Sequence, residues 1–254
     1  MSVTSAMFSG ISGLLANAEG INVIGNNLSN VNTVGFKGSR MLFSDMLSTD
    51  IGNNSQVGHG TQIQKVDNDF GQGAFESTTS ASDVALQGPG FFRVQSPATS
   101  TNYLTRAGSF RLDSSGNLVN PDGYYVLDST GTKITLTNPA KIVSIDNTGL
   151  ITYQNTAGAS VTGPKLDVVT VTNPSGLQKA GGTLFSENSA AGTVTNAAAD
   201  GTTNKVFSNS LEQSNVDMAT QFVKMILTQR AYSANSKTIT TADQMTQEVL
   251  NLKQ

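Results

Sequence analysis

The two ends of the chain constrain its fold most, because both show the apolar periodicity of helices and enclose a middle of a different kind. No Gly follows Gly201 and no Pro follows Pro174, so nothing interrupts a helix in the C-terminal part of the chain. A helix over residues 215–253 would extend roughly 58 Å, which is longer than a small globular domain needs. We therefore predict two terminal helices that pair in space as a coiled coil.

The C-terminal segment carries one long apolar stripe, whose members recur every three or four positions. Its start signal is residues 214–217, where we expect the Ser214 hydroxyl to accept a hydrogen bond from a first-turn amide and Asp217 to lie near the positive end of the helix dipole. The stripe consists of Val216, Ala219, Val223, Leu227, Ala231, Ala234, Thr238, Ala242, Met245, Val249 and Leu252. The alternative to a coiled coil is a long surface helix packed on its own domain.

The N-terminal segment has a similar stripe but is rich in glycine. The stripe consists of Met7, Ile11, Leu14, Ala18, Ile21 and Leu28, and the glycines are Gly10, Gly13, Gly20 and Gly25. Each Gly costs about 1 kcal/mol relative to Ala in a helix interior, so the four together cost roughly 4 kcal/mol. Because Gly also lets another backbone approach closely, this pattern predicts a helix that needs a partner and is shaped to receive one.

Composition excludes several classes of function. Charged residues make up 13% of the 254-residue chain, against about 25% in typical domains, and the net charge of -3 does not favour nucleic acid as a partner. The absence of Cys removes disulfides and thiolate chemistry. The first basic residue is Lys37, so we expect no cleaved secretory signal. With no run of about 20 apolar residues, we expect no insertion into a membrane.

The middle of the chain reads as β-structure. Short runs rich in Val, Ile, Leu, Thr and Tyr alternate with turn residues between Gly71 and Phe207. The predicted strands are residues 91–95, 103–112, 118–120, 124–127, 133–136, 142–145, 150–153 and 166–172. Residues 186–204 are rich in Ala, Thr, Asn and Gly, and are predicted to be an extended linker.

The predicted fold class is therefore α+β, with a mainly antiparallel β central domain between N- and C-terminal α-helices. Three segments follow from the pattern. Residues 1–70 hold the first helix and a connecting segment of an assembly core, residues 71–207 form a β-rich outer domain, and residues 208–254 hold the C-terminal helix of the assembly core.

No residues form a convincing catalytic, cofactor or metal site. His59 is the single histidine, and no acidic neighbour follows it until Asp67, whereas a general base needs an orienting partner. The turns at residues 113–118 and 146–151 lack the spacing of calcium loops. The Gly-Pro-Gly turn at residues 88–90 lacks the ending of a phosphate loop. We therefore predict a protein that is not an enzyme and that binds no cofactor or metal.

Four stretches of the chain resemble the axial proteins of the bacterial flagellum, a family that comprises the hook protein and the closely related rod proteins. They are IGNNLSNVNTVGFK at residues 24–37, DVALQGPGFF at residues 83–92, TRAGSF at residues 105–110 running to GNLV at residues 116–119, and SNVD at residues 214–217 with QRAYSANSK at residues 229–237. Their order covers both ends and the middle of the chain.

The resemblance implies a structural subunit that polymerises helically into a tube. It implies export without a cleaved signal through the flagellar export apparatus, and terminal helices that pack with those of other copies around the export channel. The expected partners are copies of the same chain and the rod, hook-cap and hook–filament junction proteins, in an extracytoplasmic hook or basal body. The implied assembly residues are Met7, Ile11, Leu14, Ile21, Asn26, Asn27, Asn30, Gly35, Phe36, Val216, Val223, Leu227, Arg230, Tyr232, Met245 and Val249. Arg230 lies outside the main stripe, and we expect it to pair with an acidic residue of a neighbouring subunit.

Hook protein is the favoured reading within this family. Residues 7–14, 56–60 and 238–243 look more like hook protein, whereas the length of the chain is closer to that of the distal rod protein. In the rod alternative, residues 44–62 are expected to stiffen the contacts between subunits. A more distant alternative is a β-domain that serves as a binding or adhesion module, which would leave the terminal helices unexplained.

Overall fold

The computed structural model describes residues 3–52, 55–196, 199 and 203–252. The chain divides into two compact units, each discontinuous in sequence. Unit 1 comprises Met1–Asn30, Gly38–Asp69 and Val216–Gln254, and unit 2 comprises Val31–Lys37 and Phe70–Asn215. The assignment of residues 1–70 and 208–254 to an assembly core, and of residues 71–207 to an outer domain, stays a prediction.

Unit 1 contains both long helices and two strand pairs. Its elements are α1 (Val3–Ser29), β1 (Ser39–Asp45), β2 (Thr49–Gly52), β3 (Ser55–Val57), β4 (Thr61–Asn68) and α2 (Met218–Asn251). Strand β1 pairs with β4 and β2 pairs with β3, both antiparallel. The sequence analysis treated this part of the chain as a connecting segment and missed these four strands, because their apolar residues do not alternate cleanly.

Helix α2 begins at a different cap from the one predicted. The Asp217 carboxylate accepts a hydrogen bond from the Thr220 backbone amide at 2.9 Å and directly precedes the first helical residue, Met218. The predicted cap at Ser214 was wrong, because the helix begins only after Asp217 and an N-cap must flank the first turn to satisfy its free amides.

The glycines of α1 lie where α2 and β1 approach it. A Cβ built on Gly10 or Gly13 would lie 3.0 or 2.7 Å from a side-chain atom of α2, and one on Gly20 would lie 3.3 Å from side chains of β1 and α2. Gly25 has no such neighbour within 4 Å. Close approach therefore explains the glycines at three of the four positions, and helices α1 and α2 pack against each other within unit 1.

Unit 2 is built from short strands, and every strand pairing among the described residues is antiparallel. The strands are β5 (Phe75–Ser77), β6 (Val84–Gln87), β7 (Phe91–Gln95), β8 (Asn102–Thr105), β9 (Arg111–Leu112), β10 (Leu118–Val119), β11 (Tyr125–Val126), β12 (Pro139–Ile145), β13 (Leu150–Asn155), β14 (Ser160–Lys165), β15 (Val168–Val171), β16 (Gln178–Gly181), β17 (Leu184–Ser186), β18 (Val194–Asn196), β19 (Lys205–Ser208) and β20 (Ser210–Glu212). The α+β class and the antiparallel middle are thus confirmed.

Strand β7 lies at the centre of the largest sheet and divides the core of unit 2. It pairs with β8 along one edge, and with β11 and β15 along the other. Because successive side chains of a strand point to opposite faces, Phe92 and Val94 enter one apolar cluster, whereas Phe91 enters a second one with Leu104 and Phe185. The two faces of one strand therefore organise both cores.

Several predicted elements of unit 2 differ from the structure. The predicted strand at residues 103–112 is interrupted between β8 and β9, because the backbone there packs against β6: a Cβ on Gly108 would lie 1.8 Å from the Val84 carbonyl oxygen. Residues 133–136 form isolated bridges and no strand. The predicted linker contains β18, which pairs with β15. Residues 197, 198 and 200–202 of that linker lie outside the described part of the chain.

Candidate assembly surface

Large apolar side chains lie exposed along both helices of unit 1. On α1, the side chains of Phe8, Ile11 and Leu15 are 68%, 40% and 63% exposed and share one helix face. On α2 the exposed side chains are Met218, Phe222, Val223, Ile226, Leu227, Tyr232, Met245, Val249, Leu250 and Leu252. A soluble monomer rarely exposes so extended an apolar surface, and such surfaces mark sites of protein interaction.

Most of the predicted stripe of α2 does not face α1. Thr228, Asn235 and Ile239 are the α2 residues that approach the glycines of α1. Within the predicted stripe, Ala242 is buried, but Val223, Leu227, Met245 and Val249 are between 54% and 63% exposed. The helix therefore packs on α1 with a neighbouring, more polar face, and leaves most of its apolar stripe without a partner in the described part of the chain.

The remaining predicted assembly residues of the helices have mixed surroundings. Met7, Leu14 and Ile21 on α1 are half-buried, as is Val216 before α2. Arg230 is exposed, and it forms no ion pair within the described ranges. Its predicted pairing with a neighbouring subunit stays a prediction.

The asparagines at the end of α1 organise the chain itself. The Asn27 side chain is buried, where its Nδ2 donates to the Ser39 carbonyl oxygen at 2.7 Å and its Oδ1 accepts from the Ser39 backbone amide at 2.8 Å. Asn30 Nδ2 donates to the Asn26 carbonyl oxygen at 2.9 Å, and the residue Asn26 is exposed. Asn27 thus fixes the start of β1 against the end of α1, because its amide satisfies both backbone groups of one strand residue.

Gly35 and Phe36 lie in unit 2 and belong to neither helix. Gly35 has φ +68° and its amide donates to the Glu212 carbonyl oxygen at 2.7 Å. The Phe36 ring is 8% exposed, and the Lys179 ammonium lies 4.5 Å from the ring centroid. Burial lowers the pKa of Lys179. Both motif residues therefore have a role inside the chain, independently of any contact between subunits.

Three charged side chains form a buried ion network in unit 2. Lys37 and Arg106 each belong to a sequence motif, and Glu212 lies shortly before a third one. Lys37 Nζ lies 2.6 Å from Glu212 Oε1, with both side chains 0% exposed, and Arg106 Nη1 lies 3.4 Å from Glu212 Oε2. The Lys37 ammonium also donates to the Gly71 carbonyl oxygen at 2.7 Å. The sequence analysis named none of the three charged residues as a site. The available signal was that Lys37 and Arg106 belong to the flagellar motifs in a chain that is poor in charge.

The hydrogen bonds of Glu212 show why a charge is tolerated there. Its Oε1 also accepts from Gln72 Nε2 at 2.6 Å and from the Gly73 backbone amide at 2.9 Å. Burial lowers the pKa of the Arg106 guanidinium, and the Glu212 carboxylate opposes that effect. Arg106 Nη2 donates to the Gly88 carbonyl oxygen at 2.7 Å. A carboxylate between two buried cations is stable only when its oxygens are saturated in this way.

A metal-ion cluster and a helix able to span a membrane are both absent from the described residues. The His59 ring contacts the Thr49 hydroxyl. Within the described ranges, no three His, Cys, Asp or Glu side chains are grouped so as to hold a metal ion. Neither of the two long helices has, over its described length, a segment apolar enough to cross a bilayer.

A second buried carboxyl in unit 2 has a strongly altered pKa. Asp167 Oδ2 lies 3.1 Å from Arg93 Nη1, and the Asp167 side chain is 1% exposed. Burial raises the pKa of the Asp167 carboxyl to about 6, although the charge of Arg93 lowers it; the charges of Asp128 and Glu187 raise it further. The folded chain therefore holds a proton on this group at a pH where an unfolded chain has released it.

Asp167 is expected to make stability fall as the pH rises from about 4 to about 6. The pKa of Asp167 is higher in the folded chain than in the unfolded chain. Its stabilising contribution, up to about 3 kcal/mol, is therefore complete below the unfolded pKa and is lost as the pH rises through about 6. Urea unfolding at pH 4, 5, 6 and 7 should show Asp167→Asn gaining stability relative to wild type across this window. A stability difference independent of pH would contradict this.

Three family models match separate parts of the chain. Residues 7–37 match the model described as "Flagella basal body rod protein", and residues 85–153 match "Flagellar hook protein FlgE/F/G D1 domain". Residues 208–252 match "Flagellar basal body rod FlgEFG protein C-terminal". The matched segments include most of both helices and the central strand β7.

Relatives extend the match to nearly the whole length. The flagellar basal-body rod protein FlgG of Bacillus subtilis (strain 168) is 39% identical to this chain over 262 residues, which cover 98% of each chain. The chain belongs to the bacterial flagellar rod and hook protein family. The FlgG of Borreliella burgdorferi is 34% identical, again over 98% of each chain. As a member of the rod and hook family, the protein is a structural, non-enzymatic component of the flagellum.

Within the rod and hook family, the similarity to hook protein is more limited. The flagellar hook protein FlgE of Borreliella burgdorferi is 38% identical over 147 residues, which are 51% of this chain and 33% of that protein. The comparisons therefore favour the rod alternative over the hook reading of the sequence analysis. Family membership implies a homopolymeric rod or hook assembly together with other flagellar components.

Proposed function

We propose that this protein is the distal rod subunit of the flagellar basal body, and that it polymerises with copies of itself into a straight tube around the export channel. The observation that carries the rod assignment is the similarity to rod proteins over 98% of both chains, against 51% of this chain for a hook protein. Its other partners are neighbouring rod proteins and the export apparatus, through which it passes without a cleaved signal to an extracytoplasmic position. Hook-cap and hook–filament junction proteins are partners only in the hook alternative.

The exposed apolar rows of unit 1 support polymerisation. Leu15 and Leu227 are each 63% exposed in the single chain. Because complete burial of such a side chain contributes about 1.5–3 kcal/mol, burying the exposed part of either one contributes about 1–2 kcal/mol. In the polymer, α1 and α2 of each copy pair as a coiled coil, and further copies pack against their exposed apolar side chains. The predicted assembly residues Ile11, Val223, Leu227, Met245 and Val249 belong to the exposed set.

In the rod reading, the hairpin after β1 provides a contact between subunits. Strands β2 and β3 pair within residues 44–62, the segment predicted to stiffen contacts between subunits. Leu47 at the start of this segment is 91% exposed, and Met46 beside it is 38% exposed. Apolar side chains at the base of a hairpin provide a contact that holds adjacent subunits at a fixed angle.

Electron microscopy of the polymer assembled from the purified chain tests this function. We expect straight tubes, because a rod must transmit torque without bending. Curved tubes would rule out the rod assignment in favour of hook.

Val223→Asp is expected to abolish polymerisation by placing a charge among the exposed apolar side chains of α2, whereas Gln229→Asp, also at an exposed position of α2, should still polymerise. Equal polymer yields for the two variants would contradict the role of the apolar rows.

A further inference from the structure

A groove within unit 1 has the character of a docking site. It has a volume of about 310 Å³ and lies between α1, β1 and the first half of α2. Its apolar lining consists of Val23, Ile24, Met41, Phe43 and Leu227, and two cations, Arg40 and Lys224, also line it. No carboxylate belongs to this lining. An occupant would need an apolar face to displace water and a negative charge to meet the cations.

Lys224 is the cation that remains free to bind such a charge. Arg40 Nη2 already lies 3.3 Å from Asp67 Oδ2. Lys224 is exposed, and no ion pair involves it in the part of the chain that the structure describes. The groove therefore presents a net positive charge beside an apolar floor.

The C-terminal end of α2 has the complementary character. Met245, Val249 and Leu252 are 54%, 62% and 87% exposed, and with Glu248 they follow the i, i+3, i+4, i+7 spacing of a single helix face. Glu248 is exposed and forms no ion pair within the described ranges. This face combines the apolar surface and the single carboxylate that the groove requires.

A second exposed apolar face, on α1, is less suitable. Phe8, Ile11 and Leu15 are exposed there, and the carboxylate on this face, Glu19, lies one turn beyond Leu15 and accepts a hydrogen bond from Asn22 Nδ2 at 3.0 Å. Its apolar residues complement the floor of the groove, but its carboxylate lies at the edge of the face and already has a hydrogen-bond partner. Charge complementarity thus favours the end of α2 over the face of α1 as the occupant.

The groove and the complementary face of one chain cannot meet each other. Lys224 and Glu248 lie on the same continuous helix, and at about 1.5 Å per residue their positions are roughly 36 Å apart along its axis. We propose that the end of α2, through Met245, Glu248, Val249 and Leu252, docks into this groove of a second copy, with Glu248 paired to Lys224. This inference rests on the proposed homopolymer and specifies one of its contacts.

The contact determines how copies add to one another. Because the groove and the helix end are different surfaces, each copy that has used one of them still presents the other, so the interaction is heterologous and builds an open helical polymer when its rotation does not close a ring. Where their α2 helices run parallel, successive copies joined by it are displaced by roughly 36 Å along that axis. The contact therefore gives the polymer a direction and an axial register.

Cysteine cross-linking tests this contact directly, since the chain contains no Cys. A chain with both Lys224→Cys and Glu248→Cys is polymerised and oxidised with copper–phenanthroline. We expect covalent dimers and higher multimers on a denaturing gel, because the roughly 36 Å separation prevents a disulfide within one helix. The control is Gln229→Cys with Glu248→Cys, in which the first thiol is exposed on α2 but outside the groove; it should remain monomeric on the gel.

Charge exchange provides a second readout on the same pair. Lys224→Glu and Glu248→Lys should each raise the critical concentration for polymerisation by about fivefold, and the double variant should restore it. If the Lys224→Cys/Glu248→Cys chain polymerises but its cross-linking does not exceed that of the control, the contact is overturned and the homopolymer is left standing. Failure of the purified wild-type chain to polymerise at all would overturn both the contact and the proposed function.

Discussion

Replacing Glu212 by Ala is expected to lower the free energy of unfolding of unit 2 by about 3–5 kcal/mol, because it leaves two buried cations without their carboxylate. Lys37 Nζ lies 2.6 Å and Arg106 Nη1 3.4 Å from the Glu212 oxygens, and none of the three side chains is more than 3% exposed. The loss also removes the acceptor for the Gly73 amide, which lies 2.9 Å from Oε1.

Denaturant unfolding monitored by tyrosine fluorescence measures this effect on the full chain. The chain has no Trp, and Tyr103, Tyr124, Tyr125 and Tyr153 belong to unit 2, whereas Tyr232 belongs to unit 1. The signal therefore reports mainly on unit 2.

Two further variants separate charge from shape at position 212. Glu212→Gln keeps the volume and one acceptor oxygen but removes the charge, so it should recover only a minor part of the loss. Glu76→Ala, at an exposed position of β5 opposite β20, should change stability by less than about 0.5 kcal/mol. A Glu212→Ala variant as stable as Glu76→Ala would show that the ion network does not stabilise the fold.

Replacing Gly35 by Ala is expected to destabilise unit 2 by about 3 kcal/mol or more, from backbone strain together with overpacking. A Cβ at this position would lie 2.4 Å from the Ala107 backbone nitrogen, and φ is +68°. The Gly35 backbone has little freedom to move away, since its amide donates to the Glu212 carbonyl oxygen at 2.7 Å. The clash is with backbone atoms, so no side-chain rotation relieves it.

Matched glycine variants identify the source of this cost. Gly131→Ala imposes a similar strain, at φ +82°, but meets nothing within 4 Å, so it should cost about 1–2 kcal/mol. Gly25→Ala in α1 also meets nothing within 4 Å, and should stabilise the helix by up to about 1 kcal/mol. The same unfolding measurement applies to unit 2, and circular dichroism at 222 nm follows the helix. A Gly35→Ala cost no larger than that of Gly131→Ala would mean that the contact with Ala107 contributes nothing.

Local patterns were sufficient to predict the helices at both ends and the antiparallel middle. Helix α2 has neither Gly nor Pro over its length, so backbone propensity alone favours it. Strand β7 has the predicted bounds, because an apolar run directly after a Gly-Pro-Gly turn has few alternatives. Three-residue strands such as β5 and β20 were missed, since their pairing depends on distant partners and leaves almost no periodicity to detect.

The assembly surface was only partly predictable. The sequence revealed that α2 carries an apolar stripe, but apolar residues such as Phe222 and Ile226 also lie outside that stripe and are exposed. Periodicity shows that a helix has an apolar face, and it does not show which face meets which neighbour. The structure showed that Thr228, Asn235 and Ile239 approach α1, and that Val223 and Leu227 stay exposed.

The sequence by itself determined the terminal helices, the β-rich middle, the absence of thiol chemistry and the membership of a flagellar family, because each depends on residues that are neighbours along the chain. Only the tertiary structure decided which helix face remains free, and that Lys37 and Glu212, separated by 175 positions, share a buried ion pair. The physical reason is that burial and charge pairing depend on distances in space, which local propensity does not specify.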